Sequence, residues 1–219
     1  MKREFKESIN KALNDANLTG ALGKFSEAYK VNRAKAYEGI DFEALRSRIA
    51  EIKSSAAARL DRLSEEFARN AEAAGAKIFR TSDPAQVREY ILKVAQENNV
   101  RSIVKSKSMA TEEIHLNPFL EKAGIDVGET DLGEWIIQLA GQTPSHMVMP
   151  AIHMTKEEVS DLFSKEVNER LSSDIPRLVK VAREQLRTKF LNADMGISGG
   201  NIAIAETGSI VLMTNEGNA

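Results

Sequence analysis

A chain of 219 residues, 42% hydrophobic and 28% charged, is long enough to bury a core and has the composition of an ordinary globular protein. Its 30 basic and 32 acidic residues give a net charge of -2 with no long single-sign run, which disfavours generic nucleic-acid binding through a basic surface. The lack of any cysteine excludes disulfides, thiolate nucleophiles and cysteine-ligated metal clusters from these residues. No apolar run approaches the roughly 18 residues of a membrane span. The opening MKREFKESIN also lacks the apolar segment of a secretory signal, so the cytoplasm is the expected location.

Residues 2–38 are polar and weakly helical, and Gly20, Gly23 and Gly39 are expected to cut them into short helices. Residues 1–40 therefore read as a helical arm, docked on a partner or on the domain that follows. Asp41 then caps a long helix. Phe42, Leu45, Ile49, Ile52, Ala56, Leu60, Leu63, Phe67, Ala71 and Ala74 step by threes and fours until Gly75.

From residue 77 the pattern alternates. Strands are predicted at 77–80, 101–105, 125–127 and 147–149. Helices are predicted at 84–98, around Ile114 to Leu120, at 134–139, at 155–165 behind a Thr155/Glu158 capping box, and at 174–190. Such alternation predicts an α/β domain over residues 41–219, with a mainly parallel sheet and flanking helices. Two nearly continuous apolar runs, 202–205 and 210–213, flank Glu206-Thr207-Gly208-Ser209 and predict a C-terminal hairpin. Their apolar continuity places that hairpin in the middle of a sheet covered on both faces.

The glycines Gly196, Gly199 and Gly200 precede a strand, whereas the dinucleotide fingerprint needs them after a strand and at a helix start, so a Rossmann site is rejected. Lys105-Ser106-Lys107-Ser108 follows the second predicted strand and opens a helix. Two lysines and two serines there suit a carboxylate or phosphate, or else form a solvated loop with Ser108 as a cap. Asp194 and Ser198 stand at one end of the hairpin and Asn215 at the other. Glu206, at its turn, is either a buried carboxylate suited to acid–base or acyl-transfer work or a solvated turn residue. His115, His146 and His153 have no metal-ligand spacing, so no metal site is expected. Ser145 lacks a GxSxG context, and Trp135 reads as a core or interface anchor.

The runs DLGEWIIQLAGQTPSHMVMPAIHMTKEEVSDLF and ADMGISGGNIAIAETGSIVLMTNEGNA, with the Lys105–Met109 loop and the alanine-rich helix, resemble the LUD domain of LutB-type lactate-utilisation iron–sulfur proteins. The resemblance implies a fold similar to the NagB/RpiA/CoA-transferase group. It also implies cytoplasmic oxidation of L-lactate to pyruvate in a complex with LutA-like and LutC-like subunits. Family members continue past the hairpin into a ferredoxin-like segment with two [4Fe-4S] clusters. This cysteine-free chain is therefore expected to be a truncated part, without cofactor and inactive alone, serving as scaffold or ligand-binding domain. An open sheet edge would favour a homodimer. By similarity to the wider fold group, a small anionic ligand is expected near Lys105, Ser106, Lys107, Ser198, Gly199, Gly200, Glu206 and Asn215. The alternative is a small-molecule transferase or isomerase of CoA-transferase-like type, with Glu206 as its reactive group.

Overall fold

The computed structural model describes residues 2–214 and 217–219. Four helices come first: α1 (Lys2–Leu13), α2 (Ala16–Ala36), α3 (Phe42–Ala57) and α4 (Leu60–Ala73). Then follow α5 (Pro84–Glu97), β1 (Ser102–Lys105), α6 (Met109–Glu113), α7 (Leu116–Lys122) and β2 (Asp126–Glu129). The chain closes with α8 (Leu132–Ala140), α9 (Lys156–Val167), α10 (Ile175–Asn192), β3 (Met195–Ile197), β4 (Ile202–Ile204) and β5 (Ser209–Val211). Strands β2-β1-β3 make a parallel sheet in that order, and β4 and β5 pair separately and antiparallel. The architecture is thus α/β, with a helical N-terminal region and a C-terminal hairpin, as the alternating pattern predicts. Two compact units divide it: Met1–Leu18 with Thr81–Gly199 and Met213–Ala219, and Thr19–Arg80 with Gly200–Leu212.

In the first unit, side-chain caps decide where most helices start. Asp83, Ser108, Asp131 and Asp174 each accept a backbone N–H of the following turn, and Thr155 and Glu158 complete the predicted capping box. Two apolar clusters hold the unit. Ile103, Ile125 and Val127 of the sheet region pack with Ala95 of α5 and with Leu116 and Leu120 of α7. Trp135 of α8 meets Phe163 of α9 at 5.0 Å between ring centroids, with Leu178, Val181 and Ala182 of α10 around them. Full burial of each such Leu, Ile or Phe side chain is worth about 1.5–3 kcal/mol, so Trp135 and its neighbours are core rather than interface. The carboxylate of Asp194 accepts the N–H groups of Arg101 and Ser102 at 2.9 and 3.0 Å, tying the start of β3 to β1. Those bonds hold its carboxyl below the usual range.

The second unit is built differently. Helix α4 buries Ala68 and Ala71, and its Asn70 side chain donates to the carbonyls of Ala205 and Glu206 at 2.8 and 3.1 Å. The hairpin turn is thereby fixed to the helix. Gly208 sits at φ +69°, and a Cβ there would lie 2.2 Å from the Ala71 backbone nitrogen, so only glycine fits.

Several sequence expectations are corrected. The glycines do not fragment the arm, because α2 runs through Gly20 and Gly23 for 21 residues. The long helix divides at Ala58 and Arg59, where the Arg59 guanidinium takes the carbonyl of Ser55 and its hydroxyl. Residues 77–80 form no strand; Arg80 bonds back to Glu65 and to the Ser64 carbonyl. Residues 147–149 form none either, because the N–H groups of Val148 and Met149 both go to His146 Nδ1. The hairpin does not enter the parallel sheet, and its Ile202 and Ile210 are 54% and 58% exposed. The third strand of that sheet is instead β3, whose three residues include Gly196 and are too short for a periodicity signal.

Replacing Gly208 by alanine is expected to cost at least about 1 kcal/mol, from the left-handed backbone and the clash with α4. Urea denaturation, with hydrogen exchange at Ile204 and Ser209, measures this. Unchanged stability and protection would show that the turn is not clamped to the helix.

Candidate functional site

The parallel register sets Lys105, the last residue of β1, opposite Glu129, the last of β2. Ligands of open α/β sheets bind beyond this carboxyl end. Lys105 is 0% exposed, and its Nζ lies 2.8 Å from Glu129 Oε1 and 3.0 Å from Glu112 Oε1. Asn117 Nδ2 donates to the same Glu129 oxygen at 2.6 Å. Gln138 of α8 accepts the Glu129 N–H at 3.1 Å and donates to the Val127 carbonyl at 2.6 Å, fixing the end of β2.

Burial alone would lower the pKa of Lys105, but the Glu129 and Glu112 carboxylates raise it above the ordinary 10.5. Lys105 is therefore a fixed cation, unsuited to act as an amine nucleophile or base. One ammonium shared by two carboxylates does not fully compensate either. Burial pushes the Glu129 carboxyl above the ordinary 4.5, against the pull of Lys105 and Asn117. Burial likewise raises Glu134, opposed by Lys107, whose Nζ is 3.3 Å away.

Of the residues picked from the sequence, five come together in this unit. The Ser106 N–H donates to the Ile197 carbonyl at 2.9 Å, and its hydroxyl donates to Ser198 Oγ at 2.8 Å. Ser198 in turn donates to the Gly199 carbonyl at 3.2 Å, and Gly199 lies against Ser108, the cap of α6. Lys105 and Lys107 complete the group, both in ion pairs. Gly200 and Glu206 belong to the other unit, where Glu206 is exposed on the turn joining β4 and β5. Asn215 lies outside the described residues.

Sequence reasoning missed Glu112, Asn117, Glu129 and Glu134. A signal for Glu129 was present: aligning the carboxyl ends of the two predicted parallel strands sets it level with Lys105, provided the second strand is carried two residues beyond Val127. These residues border a cleft of about 300 Å³, together with Gln138, Gln142 and the exposed His115, whose φ of +51° is left-handed. Among the described residues no three His, Cys, Asp or Glu side chains are grouped to hold a metal ion, and no helix is long and apolar enough to cross a membrane.

Beside the cleft, the Ser145 hydroxyl and His153 Nδ1 are 2.8 Å apart, and His153 Nε2 is 2.7 Å from Gln142 Oε1. That chain resembles a nucleophile and base, but three nearby N–H groups that could steady an oxyanion are committed. Ser145 donates to the Pro150 carbonyl, and Val148 and Met149 donate to His146.

A family model described as the LUD domain matches residues 64–219. This chain belongs to the LUD domain family. Curated relatives of the LUD domain chain include Lactate utilization protein B of Bacillus velezensis, 40% identical over 216 residues, covering 98% of this chain and 45% of that protein. The proteins of the same name from Bacillus subtilis and Geobacillus thermodenitrificans are each 41% identical over 98% of this chain, covering 45% and 46% of their own lengths. The LUD domain chain thus spans about half the length of the relatives it matches. No solved structure matches it.

The raised pKa of Glu134 gives a pH prediction. A carboxyl whose folded pKa lies above its unfolded value of 4.5 binds more protons in the native state, so stability falls as pH rises through the folded pKa. The stability of the unsubstituted chain relative to Glu134→Gln should therefore decrease between pH 4.5 and neutrality in urea denaturation. An increase over that interval would contradict the assignment.

Proposed function

We propose that this chain is the LUD part of a lactate-utilisation protein of the B type. It takes part in cytoplasmic oxidation of L-lactate to pyruvate as a scaffold and ligand-binding part. The observation that carries this reading is the near-complete coverage of the chain, at 40–41% identity, by proteins named Lactate utilization protein B. Electron transfer falls to portions outside these residues, since a chain with no cysteine supplies no thiolate for iron–sulfur clusters. Two [4Fe-4S] clusters in the longer parent, and LutA-like and LutC-like partner subunits, belong to the same proposal.

Within the chain, the ligand-binding role rests on the loop after β1. Among the described residues, Lys107 Nζ is buried without a hydrogen bond and has only Glu134 within ion-pair distance. With one carboxylate against the two on Lys105, it is the ammonium that meets the carboxylate of a small anionic ligand, in the loop whose Ser106 hydroxyl bonds Ser198. Lys105, enclosed by two carboxylates, positions the loop instead. Glu206 is exposed on its turn and belongs to the other unit from the lysine loop, so the transferase reading gains no support.

A domain exchange tests the proposal. Residues 1–219 should replace the matching portion of Bacillus subtilis Lactate utilization protein B and sustain growth on L-lactate. Lys107→Met in the same chimera, with unchanged protein level, should slow that growth at least tenfold, a charge-assisted hydrogen bond being worth about 1.5–3 kcal/mol. Failure of the unsubstituted, folded chimera would refute the assignment to lactate utilisation. Undiminished growth with the substitution would refute the role of Lys107.

A further inference from the structure

The wall of the cleft carries an excess of acceptors and of negative charge. Glu129, 3% exposed, uses Oε1 for both Lys105 and Asn117, while its Oε2 is buried with no partner among the described residues. Asn117 commits its amide nitrogen to Glu129, and its Oδ1 is likewise buried with no partner among the described residues. Both residues line the cleft, as do the carboxylates of Glu112, Glu121 and Glu134. Among the described residues four carboxylates therefore border the space, and three of them are paired with Lys105 or Lys107, neither of which lines it. Unpartnered buried acceptors are costly, and the excess of acceptors over donors sets the sign of what would satisfy them.

A bare metal ion does not fit this arrangement. Among the described residues no three potential ligands are grouped to hold one. Two oxygens of different types, one carboxylate and one amide, suit instead a group that presents several N–H donors in a fixed geometry. The volume of about 300 Å³ is at the lower end of small-molecule sites.

We propose that the cleft bordered by α7, α8 and the end of β2 binds a small organic cation, its guanidinium or primary ammonium group seated on Glu129 Oε2 and Asn117 Oδ1. The amide oxygen of Gln138 is already committed to the Glu129 N–H, so these two atoms are the anchors. Glu112 and Glu134 supply the surrounding negative field. The cleft shares Glu134 with the Lys107 anchor of the proposed carboxylate ligand, but its test does not depend on lactate utilisation.

The test is NMR titration of the whole chain with methylguanidine, putrescine and agmatine, with L-lactate and magnesium chloride as contrasts. At least one of the three cations should bind saturably, shifting the amide signals of Asn117, Glu129 and Gln138. Glu129→Gln should weaken that binding at least tenfold. Should that variant fail to fold, Asn117→Ala, which leaves the Lys105 pair in place, should weaken it several-fold. Absence of saturable binding by all three cations overturns the proposal, as does binding that neither substitution alters. Saturable binding of magnesium or L-lactate at those signals, in place of the cations, overturns it too.

Discussion

An ammonium group buried between two carboxylates organises the parallel-sheet unit. Lys105 reaches Glu129 from the neighbouring strand and Glu112 from the helix that follows its own strand. Taking a charge out of water is expensive, and attraction to a partner offsets that only where the geometry is good and the remaining polar atoms are satisfied. Here the geometry is set by backbone register, since Lys105 and Glu129 are level across parallel strands. Asn117 and Gln138 then hold the Glu129 side chain and backbone, so α7 and α8 are tied to the same point. Loss of the ammonium would leave Glu129 buried without a counter-charge.

This arrangement also accounts for the character of the site. A lysine held this way is a cation whose ion pairs tie the start of the serine-bearing loop to Glu112 and Glu129. Chemistry that needs a free amine is therefore assigned to neither Lys105 nor its immediate surroundings. Burial pushes the carboxyls of Glu129 and Glu134, which line the cleft, above their ordinary value. The LUD domain chain thus offers a polar recess at the ends of its strands, consistent with a ligand-binding part of a longer protein.

Much of the fold was legible in the sequence because its signals are local. Caps at Asp83, Thr155 and Asp174, and apolar periodicity in α5, α9 and α10, act over one or two turns. The elements read wrongly are those decided by distant or side-chain partners. His146 removes two N–H groups from a would-be strand at 147–149, and Asp194 recruits the short β3 to β1. The apolar hairpin runs suggested a buried sheet centre, yet the turn docks on α4 through Asn70 and Gly208 while Ile202 and Ile210 stay exposed. At the site, Lys105, Ser106 and Lys107 stand together along the chain, whereas Ser198 and Gly199 are joined to them only through the resemblance to the wider fold group. The carboxylate partners of the lysines were not legible, because pairing across a parallel sheet depends on a register that sequence spacing does not display.

Lys105 and Glu129 act as one unit, and a double-substitution cycle measures this directly. Lys105→Met, Glu129→Gln and the combination are compared by urea denaturation at neutral pH. Breaking a buried pair from one side costs about 3–5 kcal/mol, whereas removing both charges costs much less. The combined variant should therefore be more stable than Lys105→Met alone. If the double substitution instead costs the sum of the two single ones, the two side chains are independent and the account given for this site is wrong.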